Sequence, residues 1–211
     1  MLLVAGAGMT AYGEAVPFVL SSMGPEDQFA ALADWHMPIG ASTLAKTAIL
    51  DDCASAMTSL YGRSRPTVER QSLLASCQDL IHYITADVPS NSYAWLVGAL
   101  GAIERNDTAE FNRQIKISQM TGSNEQWVAE QRVNIAELHY DQLDDAARAS
   151  ERSDLALLAH SYRGVKSVAQ RYVTDPGFRE RITAVVETLP QADQRLFVSN
   201  VRRAAAELGE S

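Results

Sequence analysis

The chain reads as an all-α protein built of antiparallel helical hairpins. Three observations predict this. Apolar residues recur every three or four positions over most of the length, alternating or β-branched runs of strand type are nearly absent, and Pro, Gly and Asn clusters cut the periodic stretches into segments of helical length. About eight helices joined by roughly two- to six-residue loops follow from that punctuation.

Gly24-Pro25-Glu26-Asp27 opens a helix, since Pro suits a first turn and two acids complement the dipole; it carries Phe29, Leu32 and Trp35 and stops before Pro38 and Gly40. Ser42 or Thr43 caps the next, whose stripe Leu50, Cys53, Met57, Leu60 runs to Gly62. After Pro66 a third shows Leu73, Leu74, Cys77, Leu80, Ile81 and Ile84 on one face until Pro89 breaks it. Ser90-Asn91-Ser92 caps a helix from Tyr93 to about Arg105. Asn106-Asp107-Thr108 turns into another with Phe111, Ile115, Ile117 and Met120. Gly122-Ser123-Asn124-Glu125 closes that and opens a helix through Trp127, Val128, Val133, Ile135, Leu138 and Leu143. Residues 146–173 carry Leu155, Leu158, Tyr162 and Val165, with Gly164 as a break. Asp175-Pro176-Gly177 marks a boundary. Two amphipathic helices finish the chain, one with Phe178, Ile182, Val185, Val186 and Leu189, the other with Phe197, Val201, Ala204 and Leu208.

Composition narrows the function classes. The 211 residues include 18 Lys+Arg against 26 Asp+Glu, a net charge of −8, and 46% are apolar, so the chain is acidic and globular. Residues 148–211 hold 10 basic and 8 acidic side chains and are the only weakly basic third, too little for a phosphate backbone. Nucleic acid is not an expected partner.

Residues 1–22 read as a hydrophobic N-terminal helix. Leu2 to Ala11 is uncharged and apolar character resumes after Glu14, about the length of a signal-peptide core but short of the roughly 20 apolar residues a bilayer span needs. No Lys or Arg precedes it. The expectation is a remnant of a signal or membrane segment, with a small-residue helix packed on the domain as the competing reading. Gly6-Ala7-Gly8-Met9-Thr10-Ala11 after Leu2-Leu3-Val4 also fits a loose dinucleotide fingerprint, but the strands and acidic ribose ligand that motif requires do not follow.

Cys53 and Cys77 are the two cysteines, both on inward stripes of consecutive helices. Cys53 lies 11 residues before Ser64 and Cys77 lies 13 after it, so in an antiparallel hairpin they are offset by roughly 3 Å along the axis and can be bridged. Two buried free thiols are the alternative. The hydrophobic leader favours the bond, because disulfides track oxidising compartments.

Chemistry is sparse. His36, His82, His139 and His160 are scattered, with no i, i+4 pair to hold a metal, and neither a P-loop nor a Gly-x-Ser-x-Gly elbow occurs. Asp141, Asp144 and Asp145 read as a solvated helix end rather than a Ca²⁺ loop. No catalytic residue, cofactor or metal is expected.

Tyr93-Ala94-Trp95-Leu96 to Trp127 resembles a tetratricopeptide repeat: Trp95 matches its first aromatic, Ala99 a small crossing site, Asn106 the turn, Ile115 the second large apolar site and Ser118 a small one. Phe111 stands where the repeat has Ala, and Ser123 where it ends in Pro. Leu50-Asp51-Asp52-Cys53, Leu74-Ala75-Ser76-Cys77, Ser92 to Leu96, and Gly122 to Val128 followed by Arg132 make residues 25–145 look like small tetratricopeptide-like proteins of bacterial exopolysaccharide and O-antigen polymerisation and export clusters. The resemblance implies a tetratricopeptide-like α-solenoid over residues 25–211, a periplasmic location with inner-membrane anchorage, and a non-catalytic scaffold that docks on a polysaccharide polymerase, ligase or export component. Tyr93, Trp95 and Trp127 are the candidate groove residues. Two rival readings remain: a cytoplasmic helical nucleotide-binding protein or enzyme using the glycine-rich start, and a carbohydrate-binding subunit, which needs exposed Trp and Tyr along an open trough.

Overall fold

A computed structural model describes the backbone of residues 2–209 and the side chains of residues 11–209. Those residues form twelve α-helices and one 3-10 turn, with no strand among them. The protein is all-α.

Twelve helices stand where about eight are expected, and two of the long periodic stretches are each divided at a serine, the second at the break expected from Gly164. Ser59 takes an extended ψ and accepts a hydrogen bond from the Gly62 amide (3.1 Å), ending α3 (Thr43–Thr58) and starting α4 (Leu60–Ser64). Gly62 is required there, since a β-carbon would fall 1.9 Å from the Ala56 carbonyl oxygen. Ser161 does the same between α9 (Asp145–His160) and α10 (Gly164–Thr174), accepting from the Gly164 amide (2.8 Å). Met120, Leu138 and Tyr162, expected on inward stripes, are 76%, 74% and 73% exposed. Met120 and Leu138 stand at the ends of their helices, and Tyr162 lies in a turn between two helices, beyond the packed faces.

The chain divides into two compact units, residues 1–114 and 115–211. In the first, α3 packs against α1 (Leu2–Ser21), α2 (Pro25–Ala33), α5 (Thr67–Asp87) and α6 (Ser92–Glu104). Its core is Phe29, Leu32, Ile49, Leu50, Met57, Leu73, Leu80, Ile84 and Val97. Ser42 caps α3 and Asn91 caps α6, as their positions in the sequence predict. Asn106, at φ 59°, makes the left-handed turn into α7 (Thr108–Thr121), and Asp107 accepts from the Glu110 amide (3.0 Å).

Leu2–Ser21 is one helix, so the strand that a dinucleotide fingerprint needs before Gly6 is replaced by helical turns. Glu14, the sole charge in that helix, is turned onto the domain, where the Ser42 amide donates to it at 2.9 Å and the Ser42 hydroxyl donates as well. Those bonds hold its carboxyl below the usual range. Asp52 on α3 accepts from the Ser21 hydroxyl (3.0 Å) and the Gln28 amide (2.9 Å), yet burial pushes its carboxyl up to about 6. No helix among the described residues is long and apolar enough to cross a membrane.

In the second unit α10 packs against α8 (Gln126–Leu138), α9, α11 (Pro176–Val186) and α12 (Gln191–Gly209). Val133, Leu155, Leu158, Val165, Phe178, Ile182 and Phe197 fill its interior.

Candidate functional site

The first unit is stapled at its centre. Cys53 on α3 and Cys77 on α5 form a disulfide with Cα atoms 5.9 Å apart, and both residues are buried. Closing that 24-residue separation restricts the unfolded chain and stabilises the fold by about 3.5 kcal/mol on the loop-entropy account. Replacing both cysteines by Ala is expected to lower the unfolding free energy by about that amount in urea titration. A loss under about 1 kcal/mol would contradict a structural role for the bridge.

The three aromatic residues singled out from the sequence fall in different surroundings. Tyr93 and Trp95 stand on α6 in the first unit, and Trp127 on α8 in the second. Tyr93 is half-buried and donates its hydroxyl to Asp51; burial, with that carboxylate second, pushes the phenol above its ordinary range. The Trp95 indole N–H donates to the Pro89 carbonyl (2.8 Å), and the Arg113 guanidinium stands 5.8 Å from its ring. Trp127 is 51% exposed.

An open groove in the first unit runs between α2, α4 and α5. It has a volume of about 410 Å³ and includes Phe29, Tyr61, Arg65, Val68 and Glu69 in its lining. Phe29 and Tyr61 meet edge to face at 5.9 Å, and Arg65 lies 5.3 Å from the Tyr61 ring while donating from Nε to Glu69 (2.8 Å). Val68 is 74% exposed at its edge, and the neighbouring Leu60 is 90% exposed. An aromatic floor beneath an ionic rim is the arrangement an anchored protein interface uses.

The chain matches no known protein family, no curated protein and no solved structure.

Sequence reasoning passed over the two clusters of buried charge in the second unit. In the first, Arg132 of α8 makes a two-bond fork to Asp154 of α9 (2.6 and 2.7 Å), and both are buried. Its remaining N–H groups donate to the carbonyls of Ser118 and Gly122 (3.2 Å each), so one guanidinium closes the end of α7 and ties it to the α8–α9 hairpin.

The second cluster is a carboxyl pair. Arg181 of α11 grips Glu137 through Nε and Nη2, with its guanidinium 4.1 Å from the Tyr140 ring. Beside it Glu151 is buried, and no donor among the described residues reaches either carboxyl oxygen. Burial is the chief cause that pushes Glu151 up to about 8, and the neighbouring Glu137 carboxylate adds to it. Both causes favour the protonated form of Glu151, whose proton makes it a donor toward Glu137. The signal was present in the sequence, since Glu151 and Asp154 fall on the same face as Ala147, Leu155 and Leu158. Among the described residues no group of three His, Cys, Asp or Glu side chains is placed to hold a metal. Asp144 caps α9 through the Ala147 amide (2.7 Å) and pairs with Lys116 (3.1 Å).

Proposed function

We propose that this protein is a non-catalytic periplasmic interaction module, a tetratricopeptide-like helical scaffold that docks on a polymerase, ligase or export component of exopolysaccharide or O-antigen assembly. The supporting observation is the buried Cys53–Cys77 bridge, which fits an oxidising compartment and stiffens the hairpin beside an open aromatic groove. The pathway rests on the resemblance of residues 25–145 to proteins of such clusters. In this reading an apolar side chain of the partner seats on Phe29 and Tyr61, Val68 widens the contact, and Arg65 and Glu69 set its polar rim.

The test is a photo-crosslinking residue at position 68 in cells of the native host, followed by isolation of adducts from the envelope. The reading expects a glycan-assembly protein in the adduct and altered polymer in a deletion strain. Adducts without any such protein, together with wild-type polymer on deletion, would overturn it.

A further inference from the structure

A second groove in the first unit lies between the segment joining α2 to α3 and the outer face of α5, with a volume of about 390 Å³. Trp35, Met37 and His36 come from the connecting segment, and Ser76, Asp79 and Tyr83 from α5. The body of Trp35 packs on the core, and Tyr83 is 57% exposed. Tyr12 of α1 donates its hydroxyl to the Met37 sulfur (3.6 Å), which ties the connecting segment to α1, and Asp34 pairs with His36 (2.9 Å) within the segment.

The polar tips around this groove have no partner within the described residues. The Trp35 indole N–H, the Ser76 and Tyr83 hydroxyls and the Asp79 carboxylate bond to no described residue, whereas the indole of Trp95 and the phenol of Tyr93 elsewhere in the same unit each have a partner. They comprise one pure donor, two groups that both donate and accept, and one pure acceptor. Aromatic side chains supply the apolar surface between them, and no Lys or Arg lines the groove.

From this set we infer that the groove is a binding site for a neutral saccharide, one that lays the C–H face of a sugar ring on Trp35 or Tyr83 and exchanges hydroxyl hydrogen bonds with Ser76, Asp79 and the indole N–H. Other ligand classes match less of the array. An apolar peptide face leaves four polar groups stripped of water, at a cost for each. An anion meets Asp79, and a cation faces an indole donor it cannot bond. A polyol offers both donors and acceptors around an apolar face. The volume falls in the lower part of the range of small-ligand pockets, suited to a short oligosaccharide. The site stands on its own lining and does not depend on the docking partner proposed above, so partner capture and sugar binding can fail separately.

The experiment is calorimetric titration of the disulfide-bonded full chain with cellotetraose, maltotetraose and laminaritetraose, each to about 10 mM, and with tetramethylammonium chloride as the cationic control. Saturable binding of at least one tetrasaccharide is expected. Tyr83→Ala should weaken it about tenfold, and Asp79→Asn and Trp35→Phe several-fold each, with circular dichroism unchanged. Tyr83 and Asp79 are exposed, so these two variants keep the fold intact. Absence of saturation with all three sugars, or sugar binding indifferent to Tyr83→Ala, would overturn the site, as would tetramethylammonium binding that Asp79→Asn abolishes.

Discussion

At pH 8.5 the Glu151→Gln protein should unfold at a higher urea concentration than the wild type, and at pH 4.5 the two should coincide. Glutamine has the shape of a protonated Glu and carries no charge, so it mimics the acid form that the buried site selects. The sign follows from linkage. Glu151 titrates near 4.5 unfolded and near 8 folded, so its contribution is fully present below pH 4.5 and is lost as pH rises through 8. At 1.36 kcal/mol per unit the wild type gives up at most on the order of 5 kcal/mol across that window, a cost the variant avoids. Asp52 acts in the same direction over a lower window, from 3.8 to about 6, and is unchanged in the variant, so it cancels from the difference. Glu137, Arg181 and Arg152 set the local field at Glu151. Equal stability of the two proteins at pH 8.5 would show that Glu151 is ionised in the native state without penalty.

Arg132→Met should be the most damaging single substitution in the second unit, lowering stability by about 3–5 kcal/mol at pH 7. The damage is more than a lost contact. It leaves the Asp154 carboxylate dry and unpaired, and it removes the guanidinium bonds to the Ser118 and Gly122 carbonyls, which keep only their amide donors from Gly122 and Glu125 and the Thr121 hydroxyl. Burial already pushes the Asp154 carboxyl upward against the pull of the guanidinium. Without Arg132 the rise is steeper, so the deficit should shrink in acid as Asp154 takes up a proton. Adding Asp154→Leu should return most of the loss, because a well-packed apolar pair replaces a buried ion pair at little cost. Urea titration of the two single variants and the double variant gives the coupling directly. A single Arg132→Met loss within about 1 kcal/mol would mean that water reaches Asp154.

Much of the helical scaffold was legible because its punctuation is local. Ser42, Asn91 and Asp107 stand at the caps where residue type alone places them, and Asn106 takes the left-handed turn. The disulfide was legible as a possibility because two cysteines on facing stripes lie at matched distances from one turn. The break before α10 was legible from Gly164, whereas the break at Ser59 was harder to see, since a serine within a periodic stretch reads equally as a surface helical residue. The burial of Glu151 and Asp154 was readable from the face they share with Leu155 and Leu158, but their partners were hidden. Arg132 finds Asp154 across 22 residues, and Glu151 lies next to Glu137 only because two helices pair, a contact with no signature along the chain. Likewise the groove joins Trp35 in a connecting segment to Tyr83 on α5, 48 residues on, so neither residue announces the other.

The stapled first unit and the proposed compartment both require Cys53 and Cys77 to be joined in the protein as its own cell makes it. The direct measurement is the intact mass of the native protein, unfolded in the presence of iodoacetamide, with and without prior reduction. No alkyl group without reductant and two after it is the predicted result, matching the bonded pair and the chain's two cysteines. Two alkyl groups without reductant would contradict the bridge and, with it, the placement of this protein in an oxidising compartment.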